Sequence, residues 1–100
     1  MLHTVNTSPF EKNTLQRCLQ FVEAESAVLL IENAVYAATS HTPYTAMIVS
    51  ALQHHHIYVL LPDLLSRGID ENTIIEGINP IDYDGFVSLT IKHTPFKAWV

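Results

Sequence analysis

Two uninterrupted apolar runs, AVLLI at Ala27–Ile31 and IYVLL at Ile57–Leu61, constrain this chain more than any other feature. Both have the length of a strand, are bounded by polar residues, and lack the apolar–polar alternation of a half-exposed strand. A strand apolar on both sides is buried on both faces, the habit of parallel sheets whose crossover helices cover them. Two further segments, LHTV at Leu2–Val5 and INPI at Ile78–Ile81, stand at similar intervals. The first is half polar. The second contains Pro80, which cannot donate to a central ladder and therefore belongs at an edge or a strand end.

Between these runs the apolar period changes to that of a helix. Leu15, Cys18, Leu19 and Val22 fall at i, i+3, i+4 and i+7, one helical face, with Asn13 or Ser8 as candidate caps and Pro9 suited to a first turn. In PYTAMIVSALQ, Met47, Ile48, Ala51 and Leu52 form the apolar stripe, and NAVYAATS before it is a short helical or turn segment. PDLLSRG is a brief helix opened by Pro62 and Asp63 and closed by Gly68. After the last run, Asp84 is the expected N-cap of a helix carrying Phe86, Leu89, Thr90 and His93 on one stripe, with Lys92 suited to its negative end. Strands alternating with helices over the whole length imply right-handed crossovers. The expected fold is one small α/β domain over residues 1–100, a parallel sheet of about four to five strands with helices on both faces.

One hundred residues support a single core but not two. Charged residues make up only 15%, against roughly 25% in typical soluble domains. A small chain has more surface per volume and needs more charge rather than less, so the shortage points to surface covered by another subunit. The five basic residues, Lys12, Arg17, Arg67, Lys92 and Lys97, are scattered within a net charge of −5, and no basic stripe suited to phosphates exists. Direct nucleic-acid binding is therefore not expected. A single cysteine excludes an internal disulfide and any multi-cysteine zinc site. No segment reaches the ~20 apolar residues that cross a bilayer, nor does the N-terminus have a signal-peptide core, so a cytoplasmic setting is expected.

Ligands of open parallel sheets gather beyond the carboxyl ends of the strands. That edge carries Asn6, Thr7, Ser8, Glu32, Asn33, Asp63, Asp82 and Asp84, but no glycine-rich phosphate loop. Asp82 and Asp84 form either a carboxylate pair or a strand end and a helix cap, the second being the commoner need. His54–His56 suggest a metal, yet neighbouring side chains at a helix-to-strand junction diverge, and solvated histidines at a helix end are the expected case. Cys18 lies mid-helix on the stripe of Leu15, Leu19 and Val22, while Arg17 points about 100° away around the helix. A reactive thiol needs a nearby cation or a helix N-terminus. By periodicity Cys18 is a core or interface residue.

The strings MLHTVNTSPFEKNTLQRCLQF, AVLLIENAVYAA, IYVLLPDLLSRGI and IDYDGFVSLTIKHTPFKAWV resemble the TusB/DsrH family from Met1 to Val100. The most specific pieces are LHT…SPF, DLLSRG and the run IDY…FV.LT.KH ending in AW; the cysteine in the first helix with VNTSPFEKN looks closer to the DsrH branch. The resemblance implies a subunit of the TusBCD or DsrEFH sulfur-relay complexes, a heterohexamer with two copies each of three related chains. Its implied partners are TusC/DsrF-like and TusD/DsrE-like subunits and carrier proteins of the TusA and TusE/DsrC type; the residues themselves call for no cofactor and no metal. The relay passes persulfide sulfur toward 2-thiolation of the tRNA wobble uridine, or serves the oxidation of stored sulfur. Its established carrier cysteine belongs to the TusD/DsrE-type subunit, which makes this chain an auxiliary subunit with Cys18 as a secondary relay thiol at most. Assembly accounts for the low charge and for the apolar tail PFKAWV, which otherwise folds back on its own core. The alternative from another class is a stand-alone α/β module binding a small ligand or a metal at the acidic carboxyl edge.

Overall fold

A computed structural model describes residues 1–100. Five strands, β1 (Leu2–Val5), β2 (Ala27–Leu30), β3 (His56–Leu60), β4 (Asn79–Ile81) and β5 (Phe96–Trp99), form one sheet of order β4-β3-β2-β1-β5. Every neighbouring pair is parallel. The helices are α1 (Thr14–Phe21), α2 (Thr45–Ala51), α3 (Leu61–Ser66) and α4 (Tyr83–Lys92), with 3-10 segments at Glu32–Ala38 and Glu71–Thr73. The two continuous apolar runs occupy the middle of the sheet, and Pro80 stands on the edge strand β4, where its missing N–H removes no central bond.

Alternation along each strand divides the core into two parts. Val5, Val28, Leu30, Ile57 and Val59 belong to a buried cluster with Leu15, Cys18, Ile48 and Leu64 from the helices. Leu2, Ala27 and Leu29 belong to the other, smaller cluster, with Leu89 of α4 and the partly buried Phe86, Tyr58 and Ile81 around them. Burying each of these leucines contributes roughly 1.5–3 kcal/mol. The 3-10 segment at Glu32–Ala38 fits its position because side chains three apart eclipse in such a helix. Ala34 over Ala37 and Val35 over Ala38 therefore make two small, fully buried ridges against the sheet.

Gly68 (φ +70°) closes α3, with Ile69 N–H donating to the Leu64 carbonyl and Gly68 N–H to the Leu65 carbonyl. That pair of bonds is the usual glycine stop of a helix. The expected cap of α4 moves by two residues: Asp82, not Asp84, holds the N-cap, its Oδ1 accepting from Gly85 N–H at 2.8 Å. The chain must still be extended at a cap, and Asp82 is (φ −90°, ψ −173°), whereas Asp84 already lies in the first helical turn. Pro9 also differs from expectation. It sits in a separate turn, where the Ser8 carbonyl accepts from Glu11 and Lys12 N–H, and α1 begins only at Thr14 without a side-chain cap from Asn13.

The C-terminal segment is a strand. β5 pairs along β1, placing Lys97 opposite His3 and Trp99 opposite Val5. The tail thus covers part of its own core through Trp99, while Phe96 on the same strand stays exposed.

Candidate functional site at the α1, β1 and β5 corner

Cys18 lies in the middle of α1, which presents Leu15 and Cys18 to the sheet; both are buried, Cys18 with 0% exposure. Its surroundings are apolar, and Trp99 packs against the same cluster. Burial pushes the Cys18 thiol up to about 12, and the Lys97 ammonium only partly opposes this. Thiolate is the form that attacks sulfur, and with a pKa near 12 only about one molecule in 100,000 carries it at neutral pH. In this conformation Cys18 acts as a small apolar side chain.

Beside it stands a polar contact that spans nearly the whole chain. Trp99 Nε1–H donates to His3 Nδ1 at 3.0 Å. His3 is only 5% exposed, and burial is the main reason its pKa falls below the usual value. A neutral imidazole accepting at Nδ1 must carry its proton on Nε2, a tautomer assigned from this bond. The parallel pairing of β1 with β5 creates the contact, because it sets the two strands' odd-numbered residues on one face. Sequence reasoning did not pair these residues; the only signal was that LHT and AW both fall among the pieces most specific to the resemblance.

His3 and Trp99 line a cavity of about 350 Å³ together with Met1, Phe21, Glu23 and Lys97. Phe21 and Trp99 form its aromatic wall, ring centroids 6.1 Å apart and 30° from parallel. Lys97 Nζ rests 4.7 Å from the Trp99 ring centroid, a cation–π distance.

The carboxyl edge of the sheet is largely used for holding itself together. Asp63 Oδ2 accepts from Glu32 N–H at 2.6 Å, which fixes Glu32 in a left-handed conformation (φ +51°). Arg67 Nε donates to Asn33 Oδ1 at 3.0 Å, Ser8 Oγ accepts from Phe10 N–H, and Asp82 caps α4. Asn6 Oδ1 and Thr7 Oγ1 are buried with no partner. Of the three consecutive histidines, His56 Nε2 lies 3.4 Å from Glu25 Oε2, and the His54 and His55 rings meet edge to face. No three His, Cys, Asp or Glu side chains converge in a way that could hold a metal ion. No helix is long and apolar enough to cross a membrane.

The fold places the chain among small open-sheet α/β proteins, and comparison with known proteins narrows this. A family profile described as DsrH like protein matches residues 7–95. Protein TusB of Buchnera aphidicola is 34% identical over 99 residues, covering 99% of this chain and 100% of the relative. Protein TusB of Shigella flexneri is 34% identical with the same coverage, and that of Escherichia fergusonii 35%. Among solved structures, the ychN protein of E. coli superposes with a TM-score of 0.76 at 16% identity over 97% of both chains. MTH1491 of Methanobacterium thermoautotrophicum gives 0.72 at 11% identity, over 97% of this chain and 95% of that one; both likenesses concern the fold alone. The chain belongs to the TusB/DsrH family, and membership implies a subunit of a sulfur-relay complex.

Proposed function

We propose that this chain is a non-carrier subunit of a cytoplasmic, heterohexameric sulfur-relay complex, contributing structure and docking surface rather than the transferring thiol. The observation that carries the reading is Cys18: the single cysteine is fully buried, with its thiol held protonated by that burial. A sulfur carrier needs the opposite, an accessible thiol of lowered pKa. The neighbours in this reading are TusC/DsrF-like and TusD/DsrE-like subunits, the latter supplying the carrier cysteine. Proteins of the TusA and TusE/DsrC type deliver and collect the sulfur. The name TusB on full-length relatives favours 2-thiolation of the tRNA wobble uridine over sulfur oxidation as the destination.

Assembly is also supported by the outer side of α4. Tyr83, Val87 and Ile91 recur every fourth residue and are 60%, 58% and 74% exposed, an apolar stripe on a chain already poor in charge. Co-expression with TusC- and TusD-like chains tests the reading by native mass spectrometry. One species containing the three chains in equal copies is expected; a chain that stays monomeric in their presence contradicts it.

A relay role for Cys18 is the second reading. Trp99 is only partly buried where it packs against the cluster that contains the thiol, so this reading requires that cluster to open at its margin. Incubation with a persulfide donor followed by mass spectrometry decides this reading. A sulfur adduct on Cys18 of the native protein supports it, and an adduct only after denaturation refutes it.

A further inference from the structure

The cavity beside Trp99 has a composition that packing alone does not require. His3 is nine-tenths buried, yet its side chain makes a hydrogen bond only through Nδ1. Its Nε2–H is a donor without a protein acceptor, on a residue that lines the cavity. That nitrogen is not sealed in the interior, so an acceptor entering the cavity takes the place of water on it, and a charged acceptor makes the stronger bond. Lys97 adds an ammonium group on the same face of β5 as Trp99. Phe21, 73% exposed, and Trp99 supply a wall of aromatic surface. At about 350 Å³ the space lies within the range of small-molecule sites.

We infer that this cavity binds a small monocarboxylate with a flat apolar body, the carboxylate accepting from His3 Nε2–H and Lys97 Nζ and the body lying on Phe21 and Trp99. The donor and the cation stand on neighbouring strands, His3 directly opposite Lys97, so one carboxylate can engage both. Charge-assisted bonds of this kind are shorter and stronger than neutral ones. Trp99 fixes the imidazole tautomer by holding Nδ1 as the acceptor. It is thereby a positioning residue for the anion as well as part of the wall. The site is separate from the assembly surface on α4 and does not depend on the subunit reading.

Trp99 is the only tryptophan in the chain, so its fluorescence reports this cavity directly. The full-length protein is titrated with 3-phenylpropionate and, separately, with 3-phenylpropionamide, which has the same body without the charge. The acid is expected to change Trp99 emission with a Kd on the order of 1 mM, and the amide to bind at least about tenfold more weakly, the loss of one charge-assisted contact. Lys97→Met and Phe21→Ala replace exposed side chains and leave the fold intact by circular dichroism. The first is expected to bring acid and amide to similar affinity, the second to weaken both. Equal binding of acid and amide by the unaltered protein, or no response to the acid at tens of millimolar, overturns the proposal.

Discussion

On the α1 side of the sheet the buried cluster has fifteen residues, drawn from strands, α1, α2, α3 and the 3-10 segment. On the α4 side it has four, and α4 is the only helix that contributes to it. β1 and β2 supply buried residues to both sides, yet one is closed by several elements and the other by a single ten-residue helix. The thick side explains why so small a chain holds together: it seals Cys18, Leu30, Val59 and Leu64 completely. The thin side is the one that the proposed function gives to assembly. Once Phe86 and Leu89 have turned toward the sheet, α4 still carries Tyr83, Val87 and Ile91 outward. Under the proposed function, stability and association fall on opposite faces.

The largest expected effect tests the thick side. Leu64→Ala, at a fully buried position, is expected to cost about 2–5 kcal/mol and to fall in the upper part of that range. Leu89→Ala, at the margin of the smaller cluster, should fall at the lower end, because α4 is packed on one side only and can settle into the space. Urea unfolding of both variants measures the contrast, and equal losses would break it.

A second effect is set by pH. The Cys18 thiol is raised from 9.0 to about 12 in the folded chain, so below pH 9 both states hold the proton and no penalty arises. Between pH 9 and 12 the unfolded chain releases it and the folded chain does not. Stability is then lost by up to about 1.4 kcal/mol per pH unit. Cys18→Ala removes this slope, and the difference between the two proteins' stability curves above pH 9 isolates it from other titrating groups. Curves that stay parallel would show the thiol to be less buried than described.

The smallest effect on the isolated chain is on the thin side. Ile91→Glu, at a position 74% exposed, is expected to leave monomer stability within about 0.5 kcal/mol. The same change should weaken association with the partner subunits at least tenfold, about 1.4 kcal/mol. Analytical ultracentrifugation of the mixed chains reads this directly. Unchanged association would move the interface elsewhere.

Much of this arrangement was legible beforehand. The central strands announce themselves because AVLLI and IYVLL have no polar face to expose, and the stripe of Leu15 and Cys18 already pointed α1's cysteine inward. β5 was not visible as a strand: Lys97 interrupts FKAW, and only Trp99 of its four residues escapes full exposure. Such an edge strand owes its place to pairing with β1 rather than to its own pattern. The His3–Trp99 bond was hidden for the same reason, since it depends on a register between residues 96 positions apart. The cap of α4 was misplaced by two residues because Asp82 and Asp84 are chemically equivalent candidates. The close approach at Gly85 favours the first: a Cβ there would lie 2.9 Å from Ile81 Cβ, in line with a turn beginning at Asp82.

Sulfur transfer through a complex carrying Cys18→Ala bears most directly on the account. The complex is reconstituted with TusC- and TusD-like subunits, loaded from a persulfide donor, and assayed for labelled sulfur delivered to the downstream carrier protein. A non-carrier subunit predicts delivery at the rate of the unaltered complex; delivery abolished, with the complex still assembled, would place Cys18 in the relay and contradict it.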